Sequence, residues 1–359
     1  MFRTIHSTFQ TIINNIGSHD LYKTFKREYR ELKDFYIDDQ QRKKLESMNS
    51  LKRFVFTFWS IFKSMFNKLT PFRQILFIVA VFLIFVRIGF SSNGTGIGDN
   101  PTLGGLLLLL ILLLELKDKL LAKSELHEGF AVQKALMPDE DPQVPGWDIW
   151  IYNMPANDVG GDLVDFIKLS DQRYALALAD VSGKGLGAAI LMAKLQSLIK
   201  AFAPDFTSLS AFVKKLNSIF YRDSLKQSFA SLIYLEIVPG EQAIKLVNAG
   251  HLPPVLIKKD KIQCFDKGSR ALGLSGDADY EEITFKMSSD ELLLIYSDGL
   301  DESVNEKGDF YEKKLFDFIP RLNGLSARKA GSMLVNEVNT FCGTARRHDD
   351  LSLIIIKPC

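Results

Sequence analysis

Residues 72–90, FRQILFIVAVFLIFVRIGF, constrain this chain more than any other stretch: nineteen residues in a row with charge only at Arg73 and Arg87, near the ends. A helix of about 20 such residues spans the hydrocarbon core of a bilayer, and terminal arginines reach back to the headgroups. A second run, Leu103 to Leu114, reads LGGLLLLLILLL and carries no charge. It is short of a full span, but Pro101 and Thr102 before it and Leu116, Leu120 and Leu121 after it lengthen the apolar region. Between the two lies SSNGTGIGDNPT, whose Gly, Asn and Ser content predicts an exposed turn. The expectation is a transmembrane hairpin over residues 70–116, with spans at about 72–90 and 102–116. Two buried core helices are the alternative, and no nearby segment alternates apolar with polar in a way that would cover them. More than 70 residues precede the first run, which argues against a cleaved signal peptide.

Charge is divided along the chain. The total is +1, yet residues 1–123 hold 18 basic and 10 acidic side chains, and the remainder holds 26 and 33. A uniformly basic nucleic-acid binder is excluded, and no nucleic-acid partner is expected. Basic flanks on both sides of the hairpin, 13 basic against 7 acidic residues over 1–69 and then Lys117, Lys119 and Lys123, predict an inner-membrane protein with both ends in the cytoplasm. Residues 1–69 read as a basic, helical cytoplasmic region. Its stretch 51–69, LKRFVFTFWSIFKSMFNKL, suits a helix lying in the membrane interface or packed on the hairpin. From Leu113 to Met137 charged and apolar residues alternate at helical spacing until Pro138, so one helix is expected to leave the membrane and to form a linker over 117–137. A broken heptad through Leu116, Leu120, Phe130 and Met137 leaves room for a homodimer through this helix. The three cysteines, Cys264, Cys342 and Cys359, form no CxxC pair and indicate neither a disulfide framework nor a thiolate zinc site.

Residues 138–359 read differently. WDIWIYNM, LVDFIKL, RYALALADV, SLIYLEIV, AIKLVNAG, LPPVLIKK, DELLLIYSDG and DLSLIIIK are strand-like, and helical patterns occupy 186–203, 207–224 and 326–341. Many antiparallel-looking strands with few helices predict an α+β fold rather than a doubly wound parallel sheet. Four acidic sites lie at strand ends: Gly160-Gly161-Asp162, Asp180-Val181-Ser182-Gly183-Lys184-Gly185, Ser297-Asp298-Gly299 and His348-Asp349-Asp350. Any one alone reads as a turn or a cap. Four together repel one another, and a hard divalent cation with oxygen ligands relieves that. Only five histidines occur, none in zinc spacing, which favours Mg²⁺ or Mn²⁺.

GGDLVDF, ALADVSGKGLGAAILMA, LVNAGHLPPVLI, LGLSG, LLLIYSDGLDESVNEKGDFY and RRHDDLSLIII, in this order and spacing, resemble the PPM-type (protein phosphatase 2C-like) metal-dependent serine/threonine phosphatases, in their bacterial SpoIIE-like and RsbU-like branch. The resemblance implies an α–β–β–α sandwich with two metals at one end. It implies that Asp162 contributes to the second metal, that Asp180 bridges both and that the Val181 carbonyl completes one shell. Asp298 and Asp349 would hold the first metal, with Asp350 as neighbour or alternate ligand; Asp180 and Asp298 would thus act catalytically through metal and water. Two ions about 3.5–4 Å apart can deprotonate a bridging water and clamp a phosphoryl group, so no nucleophilic side chain is needed. The tripeptide Asp180-Val181-Ser182 lacks the histidine that eukaryotic relatives carry after their Asp-Gly, so no leaving-group acid is named. Lys184, Arg346, Arg347 and His348 are candidates for contact with phosphate or phosphoprotein, against a reading as plain surface charge, and His251 reads as structural more readily than catalytic.

The family also implies a substrate: a phosphorylated anti-sigma-factor antagonist of the STAS type, in a partner-switching pathway. A non-catalytic scaffold with the same fold is the alternative, and the intact carboxylate set speaks against it. A cyclic-dinucleotide cyclase reading of Gly160-Gly161-Asp162 fails because Leu163-Val164 follow instead of Glu-Phe. The helix joining the hairpin to the phosphatase region predicts that a change in its packing alters the metal site.

Overall fold

The computed structural model describes residues 48–85, 100–157, 159–224, 228–259, 261–345 and 347–359. Most of the N-terminal basic region, the end of the first apolar run and the turn after it lie outside the described residues, as does Arg346. The chain separates into two units, Met1–Leu120 and Leu121–Cys359.

In the first unit α1 (Ser50–Lys68) is followed at once by α2 (Pro71–Phe85), which opens on a proline whose missing N–H costs nothing at a helix start. The rings of Phe62 and Phe66 both pack on Phe77, and Gln74 Nε2 donates to the Phe66 carbonyl at 3.0 Å. One face of α1 therefore rests on α2, while Phe54, Val55, Phe58 and Trp59 stay exposed. The third helix, α3, runs unbroken from Asn100 to Leu136, so the second apolar run and the linker are one 37-residue rod, roughly 55 Å long. Arg73 at the start of α2 pairs with Glu115 at 2.5 Å and Asp118 at 2.7 Å on α3. Further along, a Cβ on Gly104 would lie 2.6 Å from the Ala80 carbonyl, so only glycine permits this approach. Together these contacts fix α2 and α3 as antiparallel neighbours. Leu106, Leu109, Leu112 and Leu113 face outward. The described α2 has 15 residues, and among the described residues the one helix long and apolar enough to cross a bilayer is Leu186–Asp205, in the other unit, where its apolar face is core. Two membrane spans are therefore not established by helix length.

The second unit is built on two antiparallel five-stranded sheets. One has the order β1-β10-β9-β6-β7, formed by Trp147–Met154, Leu351–Pro358, Leu292–Tyr296, Val255–Ile257 and Ile262–Cys264. The other has the order β2-β3-β4-β5-β8, formed by Leu163–Ser170, Arg173–Val181, Ala230–Ile237, Ala243–Ala249 and Glu282–Lys286. Ile149, Leu176, Leu178, Ile233, Leu293 and Ile354 fill the space between the sheets. On the outer face of the second sheet lie α4 (Leu186–Phe202) and α5 (Leu209–Asp223), and small residues Ala175, Ala177 and Ala179 on β3 let Leu195, Ile199 and Leu216 come close. The first sheet is covered by α7 (Glu312–Phe318) and α8 (Ala327–Cys342), through Leu315, Leu334 and Val338. This is the expected α+β sandwich. Both faces of each sheet are buried, which is why β9 and β10 read as continuous apolar runs rather than alternating ones.

Candidate metal centre

Strand pairing brings the acidic sites to one end. In the β2–β3 hairpin Leu163 pairs with Ala179, so Asp162, just before β2, and Asp180, near the end of β3, share an edge. In the other sheet Tyr296 pairs with Leu353. Asp298, which opens the short helix α6 (Asp298–Asp301), and Asp349-Asp350, just before β10, are thereby neighbours. A hydrogen bond joins the two halves: Ser352 Oγ on β10 donates to Asp162 Oδ2 at 2.5 Å.

The backbone is drawn close around these acids. A Cβ on Gly161 would sit 3.3 Å from the Val181 carbonyl and 3.9 Å from Asp180 Oδ1, and one on Gly299 would collide with the Asp350 carbonyl. Gly183 and Gly185 both adopt positive φ in the turn after Asp180. Asp350 has both carboxylate oxygens engaged: Oδ1 accepts from Ala156 N at 2.7 Å, and Oδ2 accepts from Gly161 N at 2.6 Å. Ser297 Oγ donates to the Asp350 carbonyl and accepts from Ser352 N, each at 3.0 Å. Lys184 Nζ lies 2.8 Å from Asp349 Oδ2 and 3.0 Å from the His348 carbonyl.

Asp162, Asp180 and Asp298 hold their protons more tightly than free carboxylates do. Burial pushes Asp162 well up, and the charges of Asp180 and Asp350 add to it against the Ser352 hydroxyl. Asp180 is pushed up to about 7, first by burial and then by Asp298, Asp349 and Asp350. Asp298 rises to about 6, through burial and then Asp349 and Glu302. Each ionised form would be stabilised by added positive charge, and a set of oxygen donors with this mutual repulsion fits a hard divalent cation. Among the described residues no three of His, Cys, Asp or Glu stand close enough together to hold a metal ion as placed. Next to the acids opens a cleft of about 390 Å³ lined by Lys184, Glu302, Phe310, Arg347, His348 and Asp349.

His251 stands apart in character. It is buried, its Nδ1 lies 2.7 Å from Ser231 Oγ, and its backbone exchanges two hydrogen bonds with the Asn248 side chain. That is a structural role. The residues that sequence reasoning missed are the polar supports Ser352 and Gln133, because a lone serine or glutamine in an apolar or charged stretch carries no motif.

The sandwich with its acidic end defines a PPM-type phosphatase domain, the protein phosphatase 2C-like class that works with divalent cations. More narrowly, the chain belongs to the SpoIIE family (stage II sporulation protein E), whose profile matches residues 170–358, and so stands among the SpoIIE/RsbU-like serine/threonine phosphatases. It is 25% identical over 239 residues to phosphoserine phosphatase RsbU of Bacillus subtilis, covering 66% of this chain and 70% of that one. With phosphoserine phosphatase RsbP of the same organism it shares 29% over 190 residues, 51% of this chain and 46% of the relative. Among solved structures, the SiaA-PP2C domain of Pseudomonas aeruginosa superposes with a TM-score of 0.58 at 17% identity, over 67% of this chain and 98% of that domain. The PP2C domain of Bacillus subtilis SpoIIE, with a fragment of its regulatory domain, gives 0.52 at 18% identity, over 59% and 61%. These structural likenesses establish the fold.

Proposed function

We propose that this chain is a membrane-anchored phosphatase that removes phosphate from phosphoserine or phosphothreonine in a signalling protein. Mn²⁺ or Mg²⁺, two ions, would be held by Asp162, Asp180, the Val181 carbonyl, Asp298 and Asp349, with Asp350 as neighbour. The observation that carries this reading is the convergence of strand-end carboxylates whose proton affinities rise together at one edge of the sandwich. Divalent cations bound there would supply Lewis acidity and a water acidic enough to ionise near neutral pH. The protein's own groups do the rest. Ser352 and Asp350 orient Asp162 and the turn that bears it, and Lys184 supplies positive charge at Asp349. Arg347 and Lys184 line the cleft where a phosphoryl group and its flanking chain would lie. With a water so activated as the attacking group, hydrolysis would be direct and would need no nucleophilic side chain.

A STAS-type antagonist of an anti-sigma factor is the proposed substrate, supported by likeness to RsbU, RsbP and SpoIIE; the chain spans less than half of RsbP, so this assignment concerns the shared domain. Membrane anchoring is supported by the antiparallel α2–α3 pair and its outward leucines. The decisive experiment is hydrolysis of a phosphoserine protein by the full chain in detergent, with Mn²⁺, with Mg²⁺ and with chelator. Activity should need the metal and fall by at least about 10³-fold in Asp298→Asn. Metal-independent turnover, or an undiminished Asp298→Asn enzyme, would sink the reading and leave the non-catalytic scaffold.

A further inference from the structure

Between Leu121 and Leu136 the helix α3 has one buried residue, and it is polar: Gln133. A buried glutamine amide requires partners, because leaving its donor and acceptor unpaired costs more than the hydrogen bonds themselves return. Here both partners are backbone atoms of a single residue. Gln133 Nε2 donates to the Gly160 carbonyl at 2.8 Å, and Gly160 N donates to Gln133 Oε1 at 3.1 Å. The orientation of the amide is unambiguous, since the flipped form would set donor against donor and acceptor against acceptor. Gly160 is itself buried and opens the turn that presents Asp162. The next two amides of that turn, Gly161 N and Asp162 N, both donate to Asp350 Oδ2, at 2.6 and 3.3 Å.

We propose that Gln133 is a positioning residue for the metal centre: from α3 it clamps Gly160 at both polar atoms and so sets where the Asp162 carboxylate stands. The inference rests on the reading of Asp162 as a metal ligand and adds the element that holds it. The turn is gripped from two sides, by α3 through Gln133 and by the segment before β10 through Asp350, and neither grip replaces the other because they use different amides. A second tie fixes the end of the same helix. Gln196 Nε2 on α4 donates to the Leu136 carbonyl at 2.9 Å, so the helix cannot slide at Gly160 without also straining α4. Displacement or rotation of α3 would therefore reach Asp162 through one side chain, with the sheets unmoved.

The test uses the full chain in detergent with two substitutions. Gln133→Met keeps length and bulk without polar atoms, and Gln133→Glu keeps the acceptor and loses the donor. Amide exchange is measured in the metal-free protein, and Mn²⁺ affinity by electron paramagnetic resonance titration. Exchange at Gly160–Asp162 should quicken about tenfold or more in Gln133→Met, with the β4 amides unchanged. The Mn²⁺ dissociation constant should rise about tenfold in both variants, as loss of a group supporting a ligand does. Turnover at saturating Mn²⁺ should return to within about twofold of the parent, which a damaged active site would not do. Exchange and Mn²⁺ affinity within about twofold of the parent in both variants would overturn the proposal, and so would equal quickening in β4, which marks general destabilisation. Should Gln133→Met fail to fold, Gln133→Glu decides by the same readings. Unchanged Mn²⁺ affinity in Asp162→Asn would remove the metal reading while leaving the clamp's exchange effect standing, so the two failures are distinguishable.

Discussion

Individual residues separate into those whose chemistry is visible in the sequence and those visible only through their surroundings. The acids Asp162, Asp180, Asp298 and Asp349 belong to the first kind, since each sits in a short acidic motif that opens or closes an apolar run. Ser352 and Gln133 belong to the second, because their importance lies in partners 190 and 27 positions away. His251 gives a pH signature. Burial lowers its proton affinity to about 4, so between pH 6.5 and 4 the unfolded chain takes up a proton that the folded one refuses. Its contribution to stability is therefore complete above pH 6.5 and is lost as pH falls towards 4, by about 3 kcal/mol in all. The buried acids act in the opposite direction, so the measurement is a difference: the gap in unfolding free energy between the parent and His251→Gln should shift by about 3 kcal/mol from pH 7.5 to pH 4. A pH-independent gap would contradict the buried neutral imidazole. At Gly299 the Asp350 backbone leaves no room for a methyl group, and Gly299→Ala should lower the melting temperature and cost about 1–3 kcal/mol from steric overlap.

At the scale of elements, eight strand-like runs correspond to β1–β6, β9 and β10, and the three helical patterns to α4, α5 and α8. The misses are β7 (Ile262–Cys264), β8 (Glu282–Lys286), the single turn α6 and α7 (Glu312–Phe318). The two strands lie at sheet edges and are half-exposed, so neither an apolar run nor clean alternation marks them; α7 is too short for its period to register. The linker was legible as a helix, but its continuity with the apolar run was legible only in part, because the Glu115–Lys119 charges interrupt the hydropathy without interrupting the hydrogen bonding. At Gly331 in α8 two effects compete. Alanine favours the helix by about 1 kcal/mol over glycine, yet a Cβ there would enter the Trp150 ring. Overpacking of about 1–3 kcal/mol outweighs the gain, so Gly331→Ala should lower the unfolding midpoint in urea.

For the whole molecule, the division of charge follows the division into units. The basic part carries the paired helices, and the acidic part carries the carboxylates, whose repulsion two divalent ions would relieve. If the α2–α3 pair is inserted in a bilayer as proposed, the chain should stay in the membrane pellet through alkaline carbonate and leave only with detergent; recovery in the carbonate supernatant would count against two spans. The order of assembly is equally marked. β10 is the last strand in the sequence yet lies between β1 and β9, and it brings with it Asp349, Asp350 and the hydroxyl that meets Asp162. A partly synthesised chain can therefore form the paired helices and the entire second sheet and still have no phosphatase site. Catalytic competence at the proposed site would arrive only with β10, so a nascent chain that has not yet reached this strand would be silent towards its substrates.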